Sequence, residues 1–321
     1  MLADKPEVSV IMTVYNSERF ISEAVTSVLR QTFINFELII VDDGSTDSSV
    51  KIVQAFNDSR IRLYIEPHRG RAASLNYAVQ MTRTNFFAFF DADDISVPTR
   101  LSTQFSILQH KSDVDIVGCF YEVINVEGEK IEKVTLPEKH SEIKKAMPLY
   151  CAVCFTGSMM RSRFFITPDV FDSTKTAAID YQFFIDIIDA ATFVNIPEVL
   201  IRKRVVTGQI SDIFYNDQVR NTYLIALGYL TDMLHSETDE RVIQQTRFNI
   251  ALVEYCYGSK SMARILFYEL LKKDRLNTVL WRYFIACLPG DSFYKLIRKK
   301  NISKSFRMFL PGHVRKKYFI S

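Results

Sequence analysis

Four short apolar runs rich in β-branched and aromatic residues, Val8 to Val14, Phe36 to Val41, Ile61 to Ile65 and Phe86 to Phe90, alternate with helical patterns along the first third of the chain. Such runs read as strands of a sheet buried on both faces. Between them, Phe20, Ile21, Ala24, Val25, Val28 and Leu29 share one helical face. Val50, Val53 and Phe56 do the same after a Gly-Ser-Thr-Asp turn in which Thr46 or Asp47 can cap, and Ala72 to Met81 supplies a third helix. Strict alternation of strand and helix gives an α/β fold with a mostly parallel sheet and helices on both faces. Ligands of such sheets bind beyond the carboxyl ends of the strands. Those ends carry Thr13-Val14-Tyr15-Asn16, Asp42-Asp43-Gly44-Ser45 and Asp91-Ala92-Asp93-Asp94, so three polar clusters are expected along one edge.

The last cluster is the most demanding, because an apolar strand ends in three carboxylates within four positions. Like charges this close to a low-dielectric interior need cations or hydrogen-bond donors to persist. Magnesium or manganese suits hard oxygen ligands and keeps positions open for phosphate oxygens. Neither a G-x-G-x-x-G fingerprint nor a G-x-x-x-x-G-K-[ST] loop occurs, so a dinucleotide fold or a P-loop lacks its cradle and phosphate is expected to be held through metal.

Composition is that of an ordinary globular chain, with 48% hydrophobic and 24% charged residues in 321. Five cysteines without framework spacing suit a reducing compartment, and Cys151-Ala-Val-Cys154, lacking further ligands nearby, is assigned no role. Met1 to Pro6 runs straight into a strand rather than a signal peptide, and no run of apolar residues is long enough to span a bilayer, so a cytoplasmic protein is expected. The net charge of +3 hides nine Lys or Arg and no acid from Ser292 to Ser321, which leaves −6 on the rest. Interleaved Phe293, Leu296, Ile297, Phe306 and Phe309 make that tail amphipathic, as for peripheral contact with the inner face of the cell membrane. A nucleic-acid surface and an ordinary solvated helix are the competing readings; the expectation adopted is membrane contact and no nucleic acid. A domain covering 1–215 and a helical C-terminal region covering 216–321 are expected.

The ordered set Val8-Ser9-Val10-Ile11-Met12-Thr13-Val14-Tyr15-Asn16, Gln31-Thr32-Phe33, Phe36 to Asp47, and Asp91 to Asp94 followed by Pro98, Arg100 and Leu101 resembles family 2 glycosyltransferases of the GT-A, Rossmann-like fold. The resemblance is dense over residues 7–110 and weaker over 150–211. It implies an inverting enzyme that moves one sugar from a nucleoside-diphosphate donor, with UDP-sugars favoured, to a saccharide, in bacterial relatives a lipid-linked precursor of surface polysaccharide. Residue by residue it makes Thr13 and Tyr15 the edge that receives the base. Asp43 would hydrogen-bond the base with Asp42 beside it. Asp91 would face the ribose or metal shell, Asp93 would ligate Mg2+ or Mn2+ and Asp94 would support it. Arg69 and Arg71 would pair with phosphate, and Thr156 to Arg161 would line the cleft, with Gly157 permitting close approach.

Inverting transfer needs a base to take the acceptor proton. The family places this base as the Asp of a Glu-Asp pair, and Asp180 matches it in Ala177-Ala178-Ile179-Asp180-Tyr181, with Ile179 in place of the Glu. Phe193 to Leu200 and Gly208-Gln209-Ile210-Ser211 keep the family's register. A metal-binding His expected shortly before Gln209 is absent, and Val206 stands there. These two departures keep a second expectation open: a catalytically impaired nucleotide-sugar-binding or scaffold protein. A nucleotidyltransferase is a weaker rival, since no Gly-rich, Arg-containing loop lies near the first strand.

Overall fold

The computed structural model describes residues 5–206 and 215–288, and these fall into two compact units that divide after Gln218. In the first unit, β1 (Val8–Val14), β2 (Phe36–Asp43), β3 (Ile61–Glu66) and β4 (Phe86–Asp91) lie side by side in the order β3-β2-β1-β4, all parallel. Between them run α1 (Ile21–Leu29), α2 (Ser49–Gln54) and α3 (Arg71–Met81). The apolar runs are strands because their residues are wanted on both faces: in β1, Val10, Ile11 and Met12 are all fully buried.

Beyond β4 the sheet becomes mixed. After β5 (Ile95–Ser96) and α4 (Arg100–His110) come β6 (Ile116–Ile124), β7 (Lys130–Val134), α5 (His140–Ala146), β8 (Met159–Arg161), α6 (Ile179–Ile187) and β9 (Phe193–Arg204). Strand β8 lies antiparallel between β4 and β6, β9 runs parallel to β6, and β5 and β7 pair antiparallel to β9 and β6. The register of β6 and β9 jumps from Cys119 opposite Ile196 to Phe120 opposite Val199, so Pro197 and Glu198 are accommodated in an irregularity. Proline has no N–H for a ladder, which confines it to such places.

Several sequence expectations shift by a few residues. Strand β2 runs on through Asp42 and Asp43, because Asp42 pairs with Ile65 and Asp43 with Glu66. The residue before α2 is Ser48 rather than Thr46 or Asp47, but Asp47 still serves that helix, its Oδ1 accepting the Ser49 N–H at 2.9 Å.

Arg204, 2% exposed at the end of β9, is with Arg100 one of the two buried arginines among the described residues of this unit. Its Nε donates to the Asp93 carbonyl at 3.0 Å, and its Nη1 donates to the carbonyls of Asn125 and Val126, both at 3.0 Å. Its Nη2 donates to Glu23 Oε2 at 2.5 Å, and the guanidinium lies 4.6 Å from the Phe20 ring centre. One side chain thereby ties α1, the turn after β4 and the turn after β6 to β9. Elsewhere, Asn76 of α3 clasps the segment before α6: its Nδ2 donates to the Phe171 carbonyl at 2.8 Å and its Oδ1 accepts the Phe171 N–H at 2.9 Å. Phe171 sits in a cluster of rings with Phe89, Phe155, Phe165 and Phe183, which fixes α6 over the sheet.

The second unit is helical. Helix α7 (Tyr215–Ser236) spans the division, followed by α8 (Glu240–Cys256), α9 (Lys260–Lys273) and α10 (Thr278–Ala286). The last three start on the side-chain caps Asp239, Ser259 and Asn277, each accepting a backbone N–H of its helix. Phe248, Phe267 and Tyr283 pack face and edge at their centre. No helix among the described residues is long and apolar enough to cross a membrane. The basic tail from Ser292 lies outside the described residues.

The Arg204 and Asn76 bonds make stability predictions. Arg204→Met removes the donor of the Asp93 and Val126 carbonyls, while the Asn125 carbonyl keeps the Gly128 N–H; since Glu23 is 55% exposed, the loss rests on the two carbonyls and comes to about 2–4 kcal/mol. Asn76→Ala strands the Phe171 N–H and carbonyl and costs about 2 kcal/mol. Urea unfolding monitored by circular dichroism checks both, and midpoints equal to the wild type would refute them.

Candidate functional site

Register alone gathers the three polar clusters. Thr13 lies opposite Val41 on one side and Asp91 on the other, and Val14 lies opposite Asp42. The turns after β1 and β2 are then stitched together. Asn16, at φ 47°, accepts the Thr46 N–H on its Oδ1 at 2.8 Å, and its own N–H donates to Ser45 Oγ at 3.0 Å. Glu18 and Asp47 exchange bonds with each other's segments, Glu18 N–H to Asp47 Oδ2 and Ser48 N–H to Glu18 Oε2, both at 2.9 Å. Asn tolerates the left-handed region better than most residues, which suits it to this position.

Tyr15 stands exposed on this edge and stacks on the His68 ring, with centroids 4.3 Å apart. Asp43 is buried and already has partners. Its Oδ1 accepts the Arg69 N–H at 2.8 Å, its Oδ2 accepts the Gly70 N–H at 3.0 Å, and His68 Nδ1 lies 2.9 Å from Oδ2. The loop of residues 68–70 therefore hangs on this carboxylate. Gly44, at φ 74°, is what lets the loop close in, since a Cβ there would lie 2.8 Å from the His68 nitrogen. Asp42 is 1% exposed; its Oδ2 accepts the Ser45 N–H at 2.9 Å, while its Oδ1 is buried without a hydrogen bond among the described residues.

At the acidic turn, Asp91 donates its N–H to Thr156 Oγ1 at 3.0 Å and takes Arg71 Nη2 on its carboxylate at 2.6 Å. Arg71, expected as a phosphate partner, is here the partner of Asp91. It opens α3 behind Gly70, its guanidinium 5.4 Å from the Phe155 ring centre. Burial works against its charge, but Asp91, Asp180 and Asp93 together raise its pKa above the ordinary value. Four residues singled out from sequence, Arg71, Asp91, Asp93 and Asp180, thus share one electrostatic neighbourhood. Asp94 points inward at 1% exposure, with Oδ1 accepting the Arg204 N–H at 2.8 Å and Oδ2 buried without a hydrogen bond among the described residues. Burial, and then the Asp93 carboxylate, push the Asp94 pKa well above the usual range.

Asp180 lies half-buried in the first turn of α6, its Oδ1 accepting the Tyr181 N–H at 2.9 Å. Ala178 before the helix sits at φ 61°, a left-handed conformation that costs an alanine about 1–2 kcal/mol. Such strain persists where the surroundings over-determine it, and sites of function are common among such places. Ile179, standing where the resemblance expects Glu, is buried at 4% exposure. Gly157 permits close approach within the sheet: a Cβ there would lie 2.9 Å from Cys119 Sγ and 3.0 Å from Ile201. Thr156 beside it is the residue that touches the acidic turn.

Sequence reasoning missed three participants. Thr156 was expected only to line the cleft and Arg204 was not singled out; their bonds to the Asp91 N–H and the Asp93 carbonyl are visible only in the tertiary structure. Lys203, on β9, is half-buried and shares the electrostatic surroundings of Asp91 and Asp94. Its signal in the sequence was no more than a lysine in a basic run.

Among the described residues, no three His, Cys, Asp or Glu are placed to hold a metal together. Val206 is no ligand, and Gly208 to Ser211 lie outside the described residues. The hard oxygens of Asp93 and the partnerless buried Asp94 Oδ2 fit magnesium or manganese, which need only one or two carboxylates when phosphate and water complete the shell.

Residues 9–167 match the model of "Glycosyl transferase family 2". An "Uncharacterized glycosyltransferase" of Haemophilus influenzae is 26% identical over 314 residues, covering 92% of this chain and 96% of its own. The Escherichia coli "UDP-Glc:alpha-D-GlcNAc-diphosphoundecaprenol beta-1,3-glucosyltransferase WfgD" is 38% identical over 133 residues, 41% of this chain and 52% of its own. Among solved structures, S. aureus TarS in complex with UDP-GlcNAc superposes with a TM-score of 0.61 at 19% identity, covering 96% of this chain and 82% of that one. A Pyrobaculum calidifontis mannosyltransferase in complex with GDP-Man and Mn2+ gives 0.54 at 16%, covering 88% and 86%. Those two likenesses speak to fold, and the family match speaks to chemistry. A mixed sheet whose parallel strands end in acids and paired loops at one edge, matched by the family model over residues 9–167, makes this chain a member of glycosyltransferase family 2, with the GT-A fold.

Proposed function

We propose that the chain transfers one sugar, with inversion, from a UDP-sugar to a saccharide carried on a lipid, in the assembly of a cell-surface polysaccharide. The observation that carries this reading is Arg71, paired to Asp91 and drawn toward Asp180 and Asp93, because it links a phosphate-competent cation, the acidic turn and a base. The preference for uridine and for a lipid diphosphate acceptor is suggested by the WfgD name and by the UDP-GlcNAc bound to TarS.

In the reaction, Asp180 takes the proton of the acceptor hydroxyl as that oxygen attacks the anomeric carbon. The bond from that carbon to the diphosphate oxygen breaks, and its electron pair leaves with the nucleoside diphosphate. Tyr15 and Thr13 receive the base, with Asp42 and Asp43 behind them, and Arg71 faces the diphosphate side. Asp93, supported by Asp94, would hold Mg2+ or Mn2+, which when bound neutralises charge on the leaving group. The basic tail from Ser292 would keep the enzyme on an anionic membrane surface on the cytoplasmic side, beside its acceptor.

Ile179 in place of Glu and Val206 in place of His favour one rival, a protein that binds donor without turning it over. The two separate cleanly. With UDP-sugars as donors, Asp180→Asn is expected to lower kcat by about 10²–10⁴-fold while UDP binding by calorimetry stays unchanged; full turnover in that variant removes Asp180 as the base. Wild type that binds UDP but never transfers or hydrolyses the donor establishes the rival instead. A chain ending at residue 291 should remain in the supernatant when vesicles of anionic lipid are sedimented, and cosedimentation equal to the full chain refutes the membrane reading.

A further inference from the structure

We propose that Lys203 is a built-in counter-cation for the donor diphosphate, which lets this site bind a nucleoside diphosphate after divalent metal has been removed. The inference rests on the donor site proposed above.

Strand direction sets its position. Side chains alternate across a strand, and the neighbours of Lys203 both turn toward the β6–β7 connection. Arg202 Nη2 donates to the Gly128 carbonyl at 2.6 Å, and Arg204 Nη1 donates to the Val126 carbonyl at 3.0 Å. Lys203 therefore leaves from the other face, where Cys154, Asp94, Asp91 and Tyr121 are the groups that act on it.

Three other cations near the acidic turn already have partners among the described residues. Arg71 is bonded to Asp91. Arg100 donates to the carbonyls of Phe89 and Ser158 and to Gln104, and Arg204 donates to three carbonyls and Glu23. Lys203 makes no hydrogen bond among the described residues, and no carboxylate among them lies within 4.0 Å of its nitrogen. It is a half-buried ammonium held by acids at a distance, with its donors uncommitted. Beside it, Asp94 Oδ2 is a buried oxygen without a hydrogen-bond partner, so the charges are not closed into a finished pair. Burial works against the Lys203 charge, while Cys154, Asp94 and Asp91 raise its pKa above the ordinary value. Lysine serves phosphate as a point charge. With Val206 where the family resemblance leads one to expect a metal-binding His, an ammonium in this place supplies positive charge that a ligand-poor metal set would not.

The test is calorimetric binding of UDP to the full chain in EDTA and in manganese, for wild type, Lys203→Met and Lys203→Arg, with melting curves to confirm folding. Wild type should lose no more than about ten-fold in affinity on going from manganese to EDTA, which is about 1.4 kcal/mol. Lys203→Met should lose measurable UDP binding in EDTA yet retain it in manganese, and Lys203→Arg should behave as wild type. A Lys203→Met protein that weakens UDP equally in both conditions marks the residue as structural and overturns the proposal. Wild-type binding that vanishes in EDTA also overturns it, leaving the donor site intact as a metal-dependent one. Absence of UDP and GDP binding under every condition removes the donor-site reading and this inference together.

Discussion

Carboxylates crowded at the end of a buried strand are tolerable only if the fold brings opposing charge and donors to them, and much of this domain is arranged around that requirement. Arg71 comes from α3, Arg204 and Lys203 from β9, and Thr156 from the turn before β8. Three segments far apart in sequence converge on Asp91 to Asp94. The mixed half of the sheet acts as more than a cover: its last strand delivers both a backbone N–H to Asp94 and a side-chain donor to the Asp93 carbonyl.

Neutralisation is uneven across the cluster, and the unevenness divides the labour. Burial opposes the Asp91 charge, but Arg71, Lys203 and Arg100 hold its pKa below the ordinary carboxylate value. Asp94, buried beside Asp93, is driven the other way, toward its neutral form. Asp93 lies half-buried between a carboxylate held charged and one driven toward its neutral form.

What could be read from the sequence was the part whose physics is local. The strands of the parallel half, the polar ends and the acidic turn follow from alternation and hydrophobic runs, so β1 to β4 emerge within two residues. Strand β2 ran longer than expected because pairing with β3, not the side chains of Asp42 and Asp43, decides where it stops. The mixed half was opaque. Strand β9 contains Pro197, Glu198 and a basic run, and it is a strand because β6 pairs along nearly all of it. The neighbours that require Gly157 were hidden for the same reason, since they belong to Cys119 and Ile201. Residue identities at the site came through the ordered motif; their partners came only from tertiary contact.

The clasp between Asp43 and the loop of residues 68–70 bears on how nucleotide recognition in this protein can be dissected. Both carboxylate oxygens bind backbone N–H groups of that loop, and Gly70 within it immediately precedes Arg71. Replacing Asp43 therefore does more than delete a hydrogen-bonding group from the proposed base pocket: it releases the loop from which Arg71, the arginine proposed to face the diphosphate, is hung. A loss of donor affinity in such a variant measures the disordering of a loop, and the contribution of any direct contact to the base has to be read from nucleotides altered at the base, with the protein left whole.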